Sequence, residues 1–214
     1  LFPVLSKLQD DKDAVRRALS RSMQMASFVL MPALLGLAAV SENFVEILYT
    51  SKWAATIPFM QVICVMNCFD LLGAANIQAL KAVGRADTLL KLEVYKKPLM
   101  LTILVGCMFI SPLAIAIGQF VYSLIALAIN AYPNRKYVNY PLKDQFMDIS
   151  RSLFTATSMA VVVYMIGKLS LNIYLLLGIQ VVVGIILYVI LAKFFNNDSF
   201  VEVMQLVKSK FHKK

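Results

Sequence analysis

A chain of 214 residues that is 60% hydrophobic and only 15% charged lies far from the soluble mix of about 45–50% apolar and about 25% charged residues. A soluble fold of this length has no room to hide so much apolar surface, so a bilayer is the expected solvent. The formal charge of +9 then points to anionic lipid headgroups and away from nucleic acid, and three cysteines, all in apolar stretches, point away from disulfides.

Cation placement sets the topology. Nineteen of the 21 Lys and Arg residues fall in four stretches that alternate with apolar spans, and only Lys52 and Lys168 lie in the stretches between. Short cytoplasmic loops keep the cations of a polytopic protein. The sequence therefore predicts an all-α, polytopic transmembrane helical bundle of six spans with both ends inside.

The chain begins at Leu1, and residues 1–4 read like the exit of a preceding span, so the sequence is expected to be the C-terminal part of a longer protein. Span A, about 23–40, follows a cationic helix carrying Lys12, Arg16, Arg17 and Arg21. Pro32 lies inside it with Gly36 four residues on. Proline removes an intrahelical bond and bends the helix, so the pair is a candidate hinge, with a packing kink as the plainer reading. Loop 41–56 carries Glu42, Glu46, Lys52 and Trp53 and is placed outside, Trp53 serving as an interfacial anchor.

Span B, about 57–80, has Pro58 at a helix-start position. Asp70 is the one acidic residue well inside a span. At 100° per residue, Asn67, Asp70, Ala74, Gln78, Lys81 and Arg85 fall within an arc of about 80°. This polar stripe reads either as one wall of a hydrated substrate path with a cationic mouth or as a row of bonds to neighbouring helices. The path is the preferred reading.

Span C, about 95–110, starts at Pro98 unless Lys96 and Lys97 snorkel to the surface. The uncharged turn Ser111–Pro112 leads to span D, about 113–132. There Gln119 and Asn130 lie near one helical face, and bonding to a neighbour helix is preferred over lining a cavity. Segment 133–151, with two prolines and several cations, belongs inside. Span E, about 152–166, a short outside loop carrying Lys168, and span F, about 174–192, complete a bundle over 1–192. The remainder, 193–214, predicts an interfacial amphipathic helix, with Ser199 and Glu202 as a capping box and Phe200, Val203, Met204, Val207 and Phe211 as its apolar stripe. No span holds a His, and no nucleophile–base pair, phosphate-cradling loop or metal-ligand set appears. The sequence predicts no catalytic residue, no metal and no cofactor.

The runs LMPALLGLAAVSENFVEILYTSKW at 30–53, IPFMQVICV at 57–65, IQALKAVGRAD at 77–87 and LLKLEVYKK at 89–97 resemble, in that order, the C-terminal region of polysaccharide flippases of the Wzx type. Their superfamily also holds the MATE exporters and lipid II flippases. FPVLSKLQDDK at 2–12 and AYPNRK at 131–136 extend the resemblance over nearly the whole chain.

The resemblance implies a bacterial inner-membrane protein of about 12–14 helices in two lobes that rock about a central cavity. It implies flipping of an undecaprenyl-diphosphate-linked oligosaccharide for lipopolysaccharide O-antigen or capsule assembly. The implied partners are that lipid-linked oligosaccharide, anionic membrane lipids and an N-terminal lobe of the same polypeptide, without which this part is not expected to transport. Lys81 and Arg85 suit the cationic cavity of such proteins, whereas Asp70 departs from it. The other reading is a cation-coupled multidrug exporter of the MATE kind with Asp70 as the coupling carboxylate, against which stands the lack of a second acid in the six spans.

Overall fold

The structure is a computed structural model that describes residue 5, residues 11–195 and residues 200, 201 and 205. Six long helices follow one another: α1 (Lys12–Tyr49), α2 (Ile57–Ala82), α3 (Ala86–Met108), α4 (Pro112–Tyr137), α5 (Leu142–Ile166) and α6 (Ile173–Phe195), with a 3-10 turn, Ser51–Thr56, before α2. No strand occurs among the described residues. Helices are the natural outcome for such apolar runs, because in lipid each backbone N–H and C=O must find its partner inside the segment.

All but α3 are long and apolar enough to cross a membrane, counting the 3-10 turn with α2. Helix α3 misses that composition because Lys91, Glu93, Lys96 and Lys97 crowd its first half. Large side chains face outward, among them Phe109 at 80% and Ile110 at 75% exposure. Surface of that kind suits hydrocarbon.

Several expected boundaries move. Helix α1 runs on through residues 41–49, expected as loop, because that stretch holds no Gly or Pro to stop it. Segment 133–151 is mostly helix, with Pro133 inside α4 and only residues 138–141 between α4 and α5. Pro98 sits inside α3, which starts at Ala86. The tail helix expected over 193–214, with its Ser199–Glu202 capping box, lies mostly outside the described residues.

The chain forms two compact units. Among the described residues, one takes those up to Met23 together with Val65–Asp148, and the other takes Gln24–Cys64 together with those from Ile149 on.

In the first unit, α2 ends in a Schellman motif. Gly84 adopts φ +72°, the Arg85 N–H donates to Leu80 C=O at 2.9 Å and the Gly84 N–H to Lys81 C=O at 3.2 Å. Glycine reaches that left-handed conformation without a Cβ penalty. Ser111 caps α4, its Oγ accepting from the Ala114 N–H at 3.0 Å, and Pro112 occupies the first turn, where a missing N–H costs nothing.

Helices α3 and α4 then pack closely at Gly118. A Cβ there would stand 2.5 Å from Cys107 Sγ and 3.1 Å from Ile103 Cγ2. Small residues let membrane helices approach in this way. Gly118→Val is accordingly expected to cost about 1–3 kcal/mol by overpacking. A lower melting temperature of the purified protein would show it, and an unchanged melt would refute the close approach.

The start of α1 is tied to α5 by polar bonds. Arg16 Nη2 meets Asp144 Oδ2 at 2.8 Å, and Ser20 Oγ donates to Asp148 at 2.6 Å. The buried Tyr140 hydroxyl donates to the same Asp148. Burial first, and then the Asp148 carboxylate, push the Tyr140 phenol well above the ordinary tyrosine range, so it stays a donor. Beside it, the fully buried amides of Asn76, Asn134 and Gln145 join α2, α4 and α5.

In the second unit, buried Gln180 of α6 donates to Val163 C=O at 2.9 Å and accepts from Asn43 Nδ2 at 2.7 Å. Tyr188 donates to Phe28 C=O at 2.5 Å. The Lys168 ammonium lies 2.9 Å from Glu42, whose hydrogen bond holds the lysine above its ordinary pKa.

Candidate functional site

The first unit holds an open cavity of about 320 Å³, lined in part by polar side chains of α2, α3 and α4. Helix α4 supplies Gln119, Tyr122, Ser123 and Asn130, which recur at helical spacing and so share one face. Helix α2 supplies Asp70, and α3 supplies Lys96. Gly73 also lines the cavity, and a Cβ there would meet Asn130 Nδ2 only at 4.0 Å.

Lys96 is the centre of this arrangement. It is 4% exposed and donates to Glu93 one turn earlier and to Asn130 Oδ1 at 2.9 Å. Taking an ammonium out of water is costly unless it is paired and hydrogen-bonded, and here both conditions hold. An ammonium has three N–H donors, and two are engaged by protein groups, which leaves one for a guest. Across the cavity, Ser123 Oγ donates to one oxygen of Asp70, and the carboxylate keeps further acceptor capacity. The cavity thus presents a donor from Lys96, acceptors from Asp70, the amide of Gln119 and the ring of Tyr122.

The structure sorts the stripe read from the sequence. Asp70 and Ala74 line the cavity; Asn67, Gln78, Lys81 and Arg85 do not. Asn67, Lys81 and Arg85 are exposed and Gln78 is half-buried. The Arg85 guanidinium lies 4.8 Å from the centre of the Tyr137 ring. Pro32 and Gly36 belong to the second unit, where they line an apolar cavity of about 400 Å³ with Met159, Val163 and Gln180.

Four side chains went unseen as site residues in the sequence. Snorkelling of Lys96 and Lys97 was the condition for a longer span C; Lys97 is exposed, but Lys96 turns inward, where Glu93 and Asn130 offer it partners. Glu93 brings a second carboxylate to the lysine of the cavity, where only Asp70 was expected. Ser123 and Tyr122 share the face of Gln119 and Asn130, a spacing that was readable. Asn130 both bonds to a neighbouring helix and lines the cavity, and Gln119 lines it too. Among the described residues, no group of three His, Cys, Asp or Glu side chains is placed to hold a metal, and the cysteines are free thiols.

Long apolar helices around a polar, charge-bearing cavity define a multi-pass helical membrane protein. Comparison with known proteins narrows this class. Residues 1–58 match a family described as "Polysaccharide biosynthesis protein". The chain is 31% identical over 126 residues to the lipopolysaccharide biosynthesis protein WzxC of Escherichia coli (strain K12), a match covering 58% of this chain and 26% of that protein. It is 24% identical over 199 residues to the teichuronic acid biosynthesis protein TuaB of Bacillus subtilis (strain 168), covering 89% of this chain and 40% of that one.

Its fold is similar to that of the lipid II flippase MurJ in an inward closed conformation, with a TM-score of 0.75, 19% identity, and coverage of 91% of this chain and 42% of that one. The chain spans less than half the length of these relatives. The resemblance to polysaccharide flippases of the Wzx type is borne out, as is the polytopic, all-helical membrane fold.

Proposed function

We propose that this chain is part of a bacterial inner-membrane flippase that carries an undecaprenyl-diphosphate-linked oligosaccharide across the bilayer for assembly of a surface polysaccharide. In this reading α3 crosses as the sixth span, both ends face the cytoplasm, and the remaining lobe belongs to the same polypeptide. The observation that carries it is the cavity with buried Lys96. A sugar moving through the membrane needs donors and acceptors in place of water, because each unpaired polar group costs several kcal/mol in hydrocarbon, by order of magnitude. Lys96, Asp70 and Gln119 supply them, and the Tyr122 ring offers an apolar face.

Asn67, Gln78, Lys81 and Arg85 then continue a polar track along α2 to its cationic end, and Pro32 with Gly36 serves as the hinge of α1. Relatives named for polysaccharide and lipid chemistry favour flipping over the cation-coupled multidrug exporter. An enzymatic role has no residue set to support it, so transport is the activity proposed.

The test is complementation with the full-length protein in a strain lacking its own flippase. Wild type is expected to restore surface polysaccharide. Asp70→Ala and Lys81→Ala/Arg85→Ala should each lower it by at least roughly tenfold, the effect of about 1.4 kcal/mol in substrate or transition-state binding, at normal membrane levels. Full restoration by both variants would remove the path from α2, and drug resistance without polysaccharide would support the exporter.

A further inference from the structure

A second cleft lies between the first half of α3 and the last turns of α4, and it has a different chemistry. Its volume is about 620 Å³, and its walls include Thr88, Lys91, Tyr132, Arg135, Lys136 and Tyr137. Three cations converge on it and no carboxylate lines it. Among the described residues, none of the three forms an ion pair, whereas Lys96 has Glu93 and Arg16 has Asp144. Arg85, stacked on Tyr137, brings a fourth cation to the rim.

Tyr132 is 80% exposed at the mouth, and Leu92 and Pro133 give the cleft an apolar wall. Unneutralised cations gathered beside aromatic rings at the end of an apolar helix match the surface of an anionic leaflet. An arginine fork with two lysines suits the geometry and charge of a phosphate.

We propose that this cleft holds the phosphate headgroup of an anionic lipid of the surrounding leaflet, as a fixed structural lipid and not as cargo. Arg135 grips the phosphate, Lys91 and Lys136 neutralise it, and the glycerol lies against Tyr132 and Leu92. The cleft shares no lining residue with the Asp70–Lys96 cavity, so its occupant need not leave when a substrate passes. The inference rests on the flippase reading for one point only, that these cationic helix ends face the cytoplasm.

The experiment measures binding of fluorescent phosphatidylglycerol to the purified, delipidated full-length protein, with phosphatidylcholine as the neutral control. Each cation at a membrane surface is worth about fivefold in binding. Lys91→Gln/Arg135→Gln/Lys136→Gln is therefore expected to weaken phosphatidylglycerol binding on the order of a hundredfold and leave phosphatidylcholine binding unchanged. Should the triple variant fail to fold, the exposed single variant Arg135→Gln is expected to lose roughly fivefold or more. Unchanged binding in either folded variant overturns the site.

Competition identifies the source of the phosphate. Displacement by unlabelled phosphatidylglycerol but not by equal inorganic phosphate supports the lipid. Equal displacement by inorganic phosphate would mean a free-anion site, and preferential displacement by undecaprenyl diphosphate would mean a cargo site; either overturns the proposal. The readout is binding alone, so a failure of polysaccharide complementation leaves this result standing, and the reverse also holds.

Discussion

Lys96→Met in the full-length protein is expected to abolish restoration of surface polysaccharide while the protein still reaches the membrane. Methionine keeps the length of the buried stem and removes the ammonium. Glu93, left without its partner, is close to half exposed and is free to hydrate, so the fold should lose only about 1–2 kcal/mol, chiefly from Asn130 Oδ1 without its donor. Glu93→Gln reverses the balance. It strands a buried cation with one hydrogen bond to Asn130, which should cost more, about 2–4 kcal/mol.

The two variants should therefore rank in opposite orders: Glu93→Gln lower in melting temperature, Lys96→Met lower in transport. The double variant Lys96→Met/Glu93→Gln removes both charges and should melt near Lys96→Met, since Asn130 Oδ1 lacks its donor in both, yet remain inactive. If the double variant restores polysaccharide, Lys96 is a packing residue and the cavity is not the path.

Hydropathy and charge placement made the membrane helices legible, because both are set by the solvent around each segment and need no knowledge of neighbours. The same holds for Gly84 after α2 and Ser111–Pro112 before α4, where local backbone chemistry decides. Boundaries were less legible. Residues 41–49 and 133–137 are polar enough to read as loop, yet hold nothing that forces a helix to end at 40 or 132, and Pro133 is accommodated inside α4.

The site was half legible. Asp70 was visible as an acid well inside an apolar span, and the spacing of Gln119 and Asn130 hinted at a face. Lys96 was not visible, because a lysine near the end of an apolar run looks the same whether it reaches out to water or folds inward. Only the neighbouring α4, bringing Asn130 within 2.9 Å, settles the direction. The polar stripe shows the same limit. Helical periodicity put six residues of the span B stripe in one arc, but periodicity does not say what each one meets: Asp70 and Ala74 line the cavity with α4, whereas Arg85 lies past the end of α2 against the Tyr137 ring.

Asn76→Leu is expected to destabilise the protein by about 1–3 kcal/mol. Asn76 exchanges two hydrogen bonds with Gln145, at 2.8 and 2.9 Å, and accepts two from Asn134, at 2.7 Å on its side chain and 3.1 Å on its carbonyl. All three residues are fully buried. Leucine fits the volume but leaves Gln145 Oε1 without a donor, while Gln145 Nε2 keeps the Tyr140 carbonyl at 3.2 Å and Asn134 Nδ2 keeps the Asn76 carbonyl. Asn134 Oδ1 already lacks a partner, so the cluster holds a surplus acceptor and no spare donor for Gln145 Oε1.

Two opposing magnitudes decide the outcome. Interhelical hydrogen bonds in membranes average only about 0.6 kcal/mol, since an unfolded helix finds other partners, whereas stranding a buried polar group costs about 1–3 kcal/mol. The second applies here, because the variant abandons a partner that stays in place. Asn76→Leu/Gln145→Leu, which removes both amides, should accordingly recover most of the loss, as replacing both partners by apolar groups is nearly neutral. Thermal melts of the four forms in detergent close the cycle. A coupling energy near zero would show that α2 and α5 are held by apolar packing alone, and that the amides ride on it.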